Sequence, residues 1–405
     1  TQVHFRAAAS TGALYQTEAY VVAGDVDALD PGVYHFNPGD FSLRRLRTGD
    51  FRGAVALAAA DHAVAEQPAS IVLSAIYWRN TWKYQARGYR HLFWDSGTLL
   101  AQLLAAAWAL RLPARLVAGF VDVEMDALLG LDASKESALV VVPVGAAGPP
   151  ASAPPLVTAL APEVIPLSAR EIDYPLLRRA LEDSRLDSEA EVEEWRERGR
   201  AKTTPRRDTG AADPIALPAP SAEAGRSLAE TITRRGSTRE FSGEAIGVEA
   251  LSSALYHATR GVPADAPAGQ VDLYLAIHAV DGIAPGAYFY DRASHGLQRL
   301  RSGTVRDDAA FLCLEQPLGG QSSATVFFLA DLTRALDRWG NRGYRLVNLE
   351  AGLIGGRLYL GAYGQRFGAT GLTFYDREVV AFFSPHAAGR DAVFVTALGR
   401  SVRRG

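Results

Sequence analysis

Three guanidinium groups and a hydroxyl crowd the stretch Arg234–Phe241, where Arg234, Arg235 and Arg239 surround Ser237. Such a turn suits a doubly charged phosphate. Arginine offers bidentate, charge-assisted bonds of about 1.5–3 kcal/mol each, and a serine adds a neutral donor. The bland alternative is a solvated basic turn. A second stretch, Trp78–Arg87, sets Lys83 beside Tyr84. An ammonium next to a phenol favours the phenolate, a usable base, although a surface lysine beside an interface tyrosine has the same spelling. A third, Ser10–Tyr15, opens with Ser10, Thr11, Gly12 and Ala13. Residues this small let backbone approach a flat ring, or make an ordinary turn into the strand from Ala19. A fourth, Gly368–Gly371, puts Thr370 and Gly371 in a backbone-rich loop after a long helix. It could present main-chain groups to a ligand or simply connect helix to strand.

The elements that must position these groups occur twice. Tyr20–Asp27 ahead of Pro31–Phe36 is matched by Tyr274–Asp281 ahead of Pro285–Tyr290, at one offset (274 − 20 and 285 − 31). Leu43–Gly49 matches Leu297–Gly303, Arg87–Arg90 recurs as Arg342–Arg345, Asp95 meets Glu350, and Gly97 meets Gly352. Each copy reads as strand, Pro-Gly turn, strand, long helix, strand, with helices over Tyr89–Leu110 and Tyr344–Tyr363. Leu346, Leu349, Leu353 and Leu360 share one face of the latter. Two such units make a pseudo-dimer rather than a solenoid, which needs three or more short repeats. The expected fold class is α+β, two fused copies with boundaries at residues 1–149 and 223–405. The chain opens with Thr1 rather than Met, and the expectation is that part of the first copy precedes it. Residues 150–222 read as an insert. Pro149–Pro166 is irregular, Asp173–Arg200 forms one or two helices with Leu176, Leu177, Leu181 and Trp195 packing, and Lys202–Ser221 is a linker. No chemistry is assigned to it.

Composition excludes several classes. Among 405 residues, 48% are apolar and 21% charged, with a net charge of −3, so neither nucleic acid nor membrane is indicated as a partner. The longest apolar run, Thr98–Leu110, is too short to span a bilayer. A single cysteine, Cys313, rules out intramolecular disulfides and thiolate zinc sites and fits a cytoplasmic location. No dinucleotide-binding glycine motif follows a strand, no P-loop or zincin motif occurs, and the eight histidines lack ligand spacing.

The Arg234–Phe241 pattern, followed by a helix and later by Pro285–Tyr290, resembles the SagB-type azoline dehydrogenases of the flavin nitroreductase superfamily. The resemblance covers most of both copies and implies a nitroreductase-like fold with FMN as cofactor. It implies that Arg235, Ser237 and Arg239 grip the FMN phosphate, helped near the C-terminus by Arg400, with Arg403 second. Gly236 departs from the family's usual Arg or Ser. Ser10, Thr11, Gly12 and Ala13 are similar to a loop that reaches across the dimer interface to the partner's flavin, although both of its flanking prolines are absent. Thr370 and Gly371 fall where main-chain groups meet the ring's N5 edge. Lys83 and Tyr84 match the family's catalytic Lys-Tyr pair, for which the second copy has Arg338 and Trp339. The second copy's loop, Ala264–Gly269, is degenerate, and the phosphate grip occurs only in the second copy, so one FMN per chain is expected. The reaction implied is oxidation of a thiazoline or oxazoline to the azole, with hydride to FMN, a proton to Tyr84 assisted by Lys83, and dioxygen as final acceptor. The substrate would be a peptide or a carrier-bound chain, handed on by cyclodehydratase or synthetase partners. The rival readings are a generic NAD(P)H-dependent nitro or quinone reductase and a non-catalytic scaffold that docks a partner enzyme.

Overall fold

The computed structural model describes residues 6–160, 162, 164–200, 214–223 and 225–402. The first copy runs β1 (Thr17–Ala23), β2 (Gly32–Asn37), β3 (Ser42–Thr48), α1 (Arg52–Ala58), β4 (Ala69–Ile76), α2 (Trp78–Tyr84), α3 (Gly88–Ala109), α4 (Asp122–Leu129) and β5 (Glu136–Val144). The insert contributes α5 (Pro175–Glu182), α6 (Glu189–Arg200) and the short β6 (Ile215–Ala216). The second copy follows with α7 (Leu228–Arg234), α8 (Val248–Thr259), β7 (Val271–Ile277), β8 (Gly286–Asp291), β9 (Gly296–Ser302), α9 (Arg306–Leu312), α10 (Pro317–Gln321) and β10 (Ala324–Ala330). It ends with α11 (Leu332–Trp339), α12 (Arg342–Gly364), β11 (Gly368–Gly371), α13 (Asp376–Phe383) and β12 (Asp391–Gly399).

The expected duplication is visible in the sheets. One has the order β3-β2-β1-β4-β5 and the other repeats it as β9-β8-β7-β10-β12, with β11 and β6 added at its edges. Every ladder is antiparallel. Tyr20 and Tyr274 open the same register, facing His35 and Phe289 respectively. The sequence offset is therefore structural equivalence.

The two copies meet through α3 and α12, which are apolar on most of their circumference and buried accordingly. Glycine inside a helix costs roughly 0.5–1 kcal/mol, so its recurrence at Gly97 and Gly352 calls for a packing reason. A Cβ on Gly97 would lie 2.5 Å from the Leu349 carbonyl oxygen, and one on Gly352 would strike the Trp94 backbone. The helices thus cross backbone to backbone, and no other residue fits there. Leu349 and Leu353 complete an interface core with Leu92, Phe93 and Leu100, which the insert joins through Leu177 and Leu181.

The insert departs from expectation in two places. Leu176 is 69% exposed while Leu177 and Leu181 are buried, because α5 turns only one stripe inward. Part of the supposed linker is β6, which pairs with β9; residues 201–213 lie outside the described residues. Among the described residues no helix is long and apolar enough to cross a membrane, and no cluster of potential metal ligands occurs.

Candidate functional site

Because the copies are related by a pseudo-twofold, the interface has two equivalent ends. The repeated Arg-Gly-Tyr-Arg motif marks each of them. Arg87 and Arg90 of the first copy pair with Asp376 of the second. Arg342 and Arg345 of the second copy pair with Asp122 of the first, at 2.6 and 2.8 Å. Burial raises both aspartates, but the paired arginines outweigh it and hold each carboxyl below its ordinary value.

At the Arg87–Asp376 end, the loop Ser10–Tyr15 lies on α3. Ser10 Oγ donates to Asp95 at 2.5 Å, and the Thr11 amide and hydroxyl donate to the same carboxylate at 2.9 and 2.8 Å. This holds Gly12 at φ +65°, open to a neighbour. That neighbour is Tyr84, whose hydroxyl would be 2.9 Å from a Cβ on Gly12. Tyr84 ends α2 half-buried, its ring edge-on to His91 with centroids 4.6 Å apart. Behind it His91 Nδ1 meets Asn80 Oδ1 at 2.8 Å. Burial, helped by Arg87 and Arg90, pushes His91 down to about 3, so this wall is neutral. Lys83 is exposed, with Nζ 5.2 Å from the Tyr84 ring centroid.

The second copy faces this loop with its basic turn. Ser227 caps α7 by accepting from the Glu230 amide, and the helix stops at Arg235. The turn is pinned by the Thr238 amide on the Ala369 carbonyl at 2.9 Å and by buried Phe241. Arg235 Nε donates to the Ala7 carbonyl at 2.5 Å, and its guanidinium lies over the Tyr359 ring. Burial lowers its pKa. No carboxylate pairs with it among the described residues. Ser237 Oγ is 3.2 Å from the Tyr359 hydroxyl, which accepts the Gly371 amide at 2.6 Å. Basic turn, Ser10 loop, Tyr84 and β11 therefore come together, two from each copy.

Not every expected residue converges equally. Arg239 is exposed and makes no hydrogen bond or ion pair with another described residue. Arg400 is exposed and bonded by Nε to the Ala245 carbonyl at 2.9 Å, beyond the basic turn. The Gly371 amide is taken by Tyr359, while the Thr370 side chain is buried. Arg403 lies outside the described residues. Asp95, His91 and Tyr359 hold the site together without having been singled out for it. The pairing of Asp95 with Glu350 in the repeat was the available signal for the first of them.

The opposite end is closed by the insert. Arg345 donates to Ser184 Oγ and to the Leu181 carbonyl, both at 2.7 Å, and the Leu186 amide donates to Asp122 at 2.9 Å. From α6, Trp195 is fully buried against Gly119, at 2.6 Å from where a Cβ would lie. Arg196 pairs with Asp265, in the second copy's degenerate loop, at 3.2 Å. Trp339, the counterpart of Tyr84, is buried beneath Gly199. The same parts that frame a site at one end are packed under helices at the other.

The profile of the family described as "Nitroreductase family" matches residues 3–146 and again 232–394, one match per copy. A Methanocaldococcus jannaschii protein named as a nitroreductase is 32% identical over 161 residues, covering 38% of this chain and 81% of that protein. A crystal structure of an Anabaena variabilis protein, also named as a nitroreductase, superposes with a TM-score of 0.79 at 26% identity. It covers 99% of this chain and 84% of the other. With both copies matched and the architecture shared over its whole length, the chain belongs to the Nitroreductase family, whose members are oxidoreductases that typically bind flavin.

Proposed function

We propose that this chain is an FMN-dependent dehydrogenase that oxidises thiazoline or oxazoline rings, in a peptide or on a carrier, to the aromatic azoles. The donor set at the open end supports FMN. Arg235 is a half-buried cation with a carbonyl and a ring face for company and no carboxylate paired with it among the described residues. A phosphate held by Arg235, Ser237 and Arg239 would supply the missing charge with geometry that guanidinium favours. The chemistry a bound flavin would supply there is a two-electron acceptor for the hydride equivalent lost by the heterocycle.

The remaining work falls to this chain's own side chains. Removing the second hydrogen needs a base, and the Tyr84 oxygen, turned to the Gly12 loop with Lys83 over its ring, is the group we assign. The observation that carries the reading is that asymmetry. At the closed end the same position is Trp339, buried and without an ionisable oxygen. Thiol chemistry is disfavoured, since burial pushes Cys313 up to about 12. Cyclodehydratase or synthetase partners in the cytoplasm would supply the ring. Both relatives are named as nitroreductases, and reduction of nitro compounds favours a second reading, the generic NAD(P)H-dependent nitro or quinone reductase.

Mass spectrometry of an azoline peptide, following loss of two hydrogens, separates the two. Tyr84→Phe keeps ring and packing, so it should retain FMN yet lose azole formation by ~10²-fold or more; Trp339→Phe should change turnover little. Normal turnover by Tyr84→Phe would remove this mechanism. A wild-type protein that oxidises no azoline but reduces quinones briskly with NAD(P)H belongs to the second reading.

A further inference from the structure

Asp95 sits in the middle of α3, two residues before the backbone crossing at Gly97, and is 4% exposed. The hydrogen bonds its carboxylate accepts come from Ser10 and Thr11 of the loop. Ser10 Oγ in turn accepts the Tyr15 amide at 2.9 Å, so the loop is closed from both sides. Between these points Ala13 at φ +56° and Tyr15 at φ +52° adopt left-handed backbone. That conformation is unfavourable for an L-residue. Turn bonds inside the loop and Arg79 on the Tyr15 carbonyl contribute to holding this shape, and the Asp95 carboxylate ties the loop's first two residues to α3.

The second copy shows the clamp under different conditions. Glu350, the counterpart of Asp95, accepts the amides of Gly269 and Gln270, both at 2.8 Å, and has Arg292 at 3.8 Å as a countercharge. No cation pairs with Asp95 among the described residues. Burial pushes its carboxyl up to about 6, even though Ser10, Thr11 and Gln16 pull it down. Since the ordinary value is 3.8, the fold favours the neutral form. The charged form is a burden on stability that is absent below about 3.8 and fully present above about 6.

We propose that Asp95 is a positioning residue for the flavin, its carboxylate holding Ser10 and Thr11 so that the Gly12 backbone stays in the shape that receives the cofactor beside Tyr84. The assignment rests on the reading that FMN binds at this end. It predicts an uncommon combination, in which loss of the charge weakens the cofactor while sparing the fold.

The test is Asp95→Asn, isosteric but neutral, beside Glu350→Gln as the matched change at the closed end. FMN affinity is read by fluorescence quenching at pH 7.5, the flavin-free protein by thermal melting, and residues 10–15 by hydrogen exchange. Asp95→Asn should raise the FMN dissociation constant ~10-fold or more, leave the melting temperature level or higher, and speed exchange in residues 10–15. Ser10→Ala with Thr11→Val should do the same to affinity, and adding them to Asp95→Asn should cost little more, because all three remove one interaction. Glu350→Gln should leave FMN affinity unchanged. An unaltered dissociation constant in Asp95→Asn, or a melting temperature that falls in step with affinity, overturns the assignment. If the wild-type protein itself takes up no FMN, the flavin reading falls instead. The exchange rates then still decide whether Asp95 clamps the loop.

Discussion

At one end of the helix crossing Arg87 and Arg90 reach Asp376 with side chains 22–35% exposed, while at the other Arg342 and Arg345 reach Asp122 with side chains 3–5% exposed. Both triads are written by the same repeated motif. The difference comes from α5 and α6, which lie over the second triad and leave the first to solvent. In a symmetric dimer both ends would have to remain sites, because one sequence would serve both. Fusion of the copies removes that constraint. The closed end has taken up packing, with Trp195, Trp339 and an Arg196–Asp265 pair where the open end has the Gly12 loop, Tyr84 and a half-buried Arg235. Apolar burial of Trp195 and Trp339 stabilises the joint at one end, and strained, half-exposed groups collect at the other.

The largest effect should appear in flavin binding. Arg235→Ala with Arg239→Ala removes two charge-assisted bonds, so FMN should weaken by ~10²–10⁴-fold with the fold intact. Arg44→Ala with Arg45→Ala, equally basic but on the exposed β3 beside Asp40 and Asp30, should leave flavin content unchanged. The same titration counts sites. One FMN per chain is expected, since α6 fills the other end, and two tightly held flavins would break the contrast between the ends.

How much of this was written in the sequence depended on the range of the interaction. The duplication, the long helices and the basic turn are local or periodic patterns, and each is found in place. The loop at Ser10–Ala13 and the Lys83–Tyr84 pair were visible as residue types, while their meeting at Gly12 is a tertiary fact. The insert's helices and the packing of Leu177, Leu181 and Trp195 are likewise periodic and are found in place, while the surfaces they pack on, with Trp195 and Arg196 against Gly119 and Asp265, are again tertiary. The Arg-Gly-Tyr-Arg repeat was recognised, but its purpose was hidden, because each copy's arginines find their partner in the other copy.

The next effect in size concerns stability at the closed end. Asp122→Asn leaves Arg342 and Arg345 buried without their anion, and breaking a buried pair typically costs ~3–5 kcal/mol. Trp195→Ala should cost a similar ~3–5 kcal/mol by opening a cavity beside Gly119. Urea unfolding of the flavin-free protein reads both. If neither change moves the midpoint, α6 lies on the closed end without sealing it.

The smallest effect is at the open end and is the sharper probe of the comparison. Asp376→Asn removes the same charge from the equivalent triad, but there about a third of each of Arg87 and Asp376 faces water. Screening and competing hydration reduce such a pair to ~0.2–1 kcal/mol. The loss should also depend on salt, because the Debye length shrinks from about 10 Å at 0.1 M to about 3 Å at 1 M. The difference between wild type and Asp376→Asn should therefore shrink towards zero in 1 M sodium chloride. That between wild type and Asp122→Asn should persist, since no ions reach a triad beneath α5. Measuring both at both salt concentrations compares one motif in two environments with all else equal. Equal costs, or equal salt dependence, would mean that solvent treats the two ends alike and that the insert is not what distinguishes them.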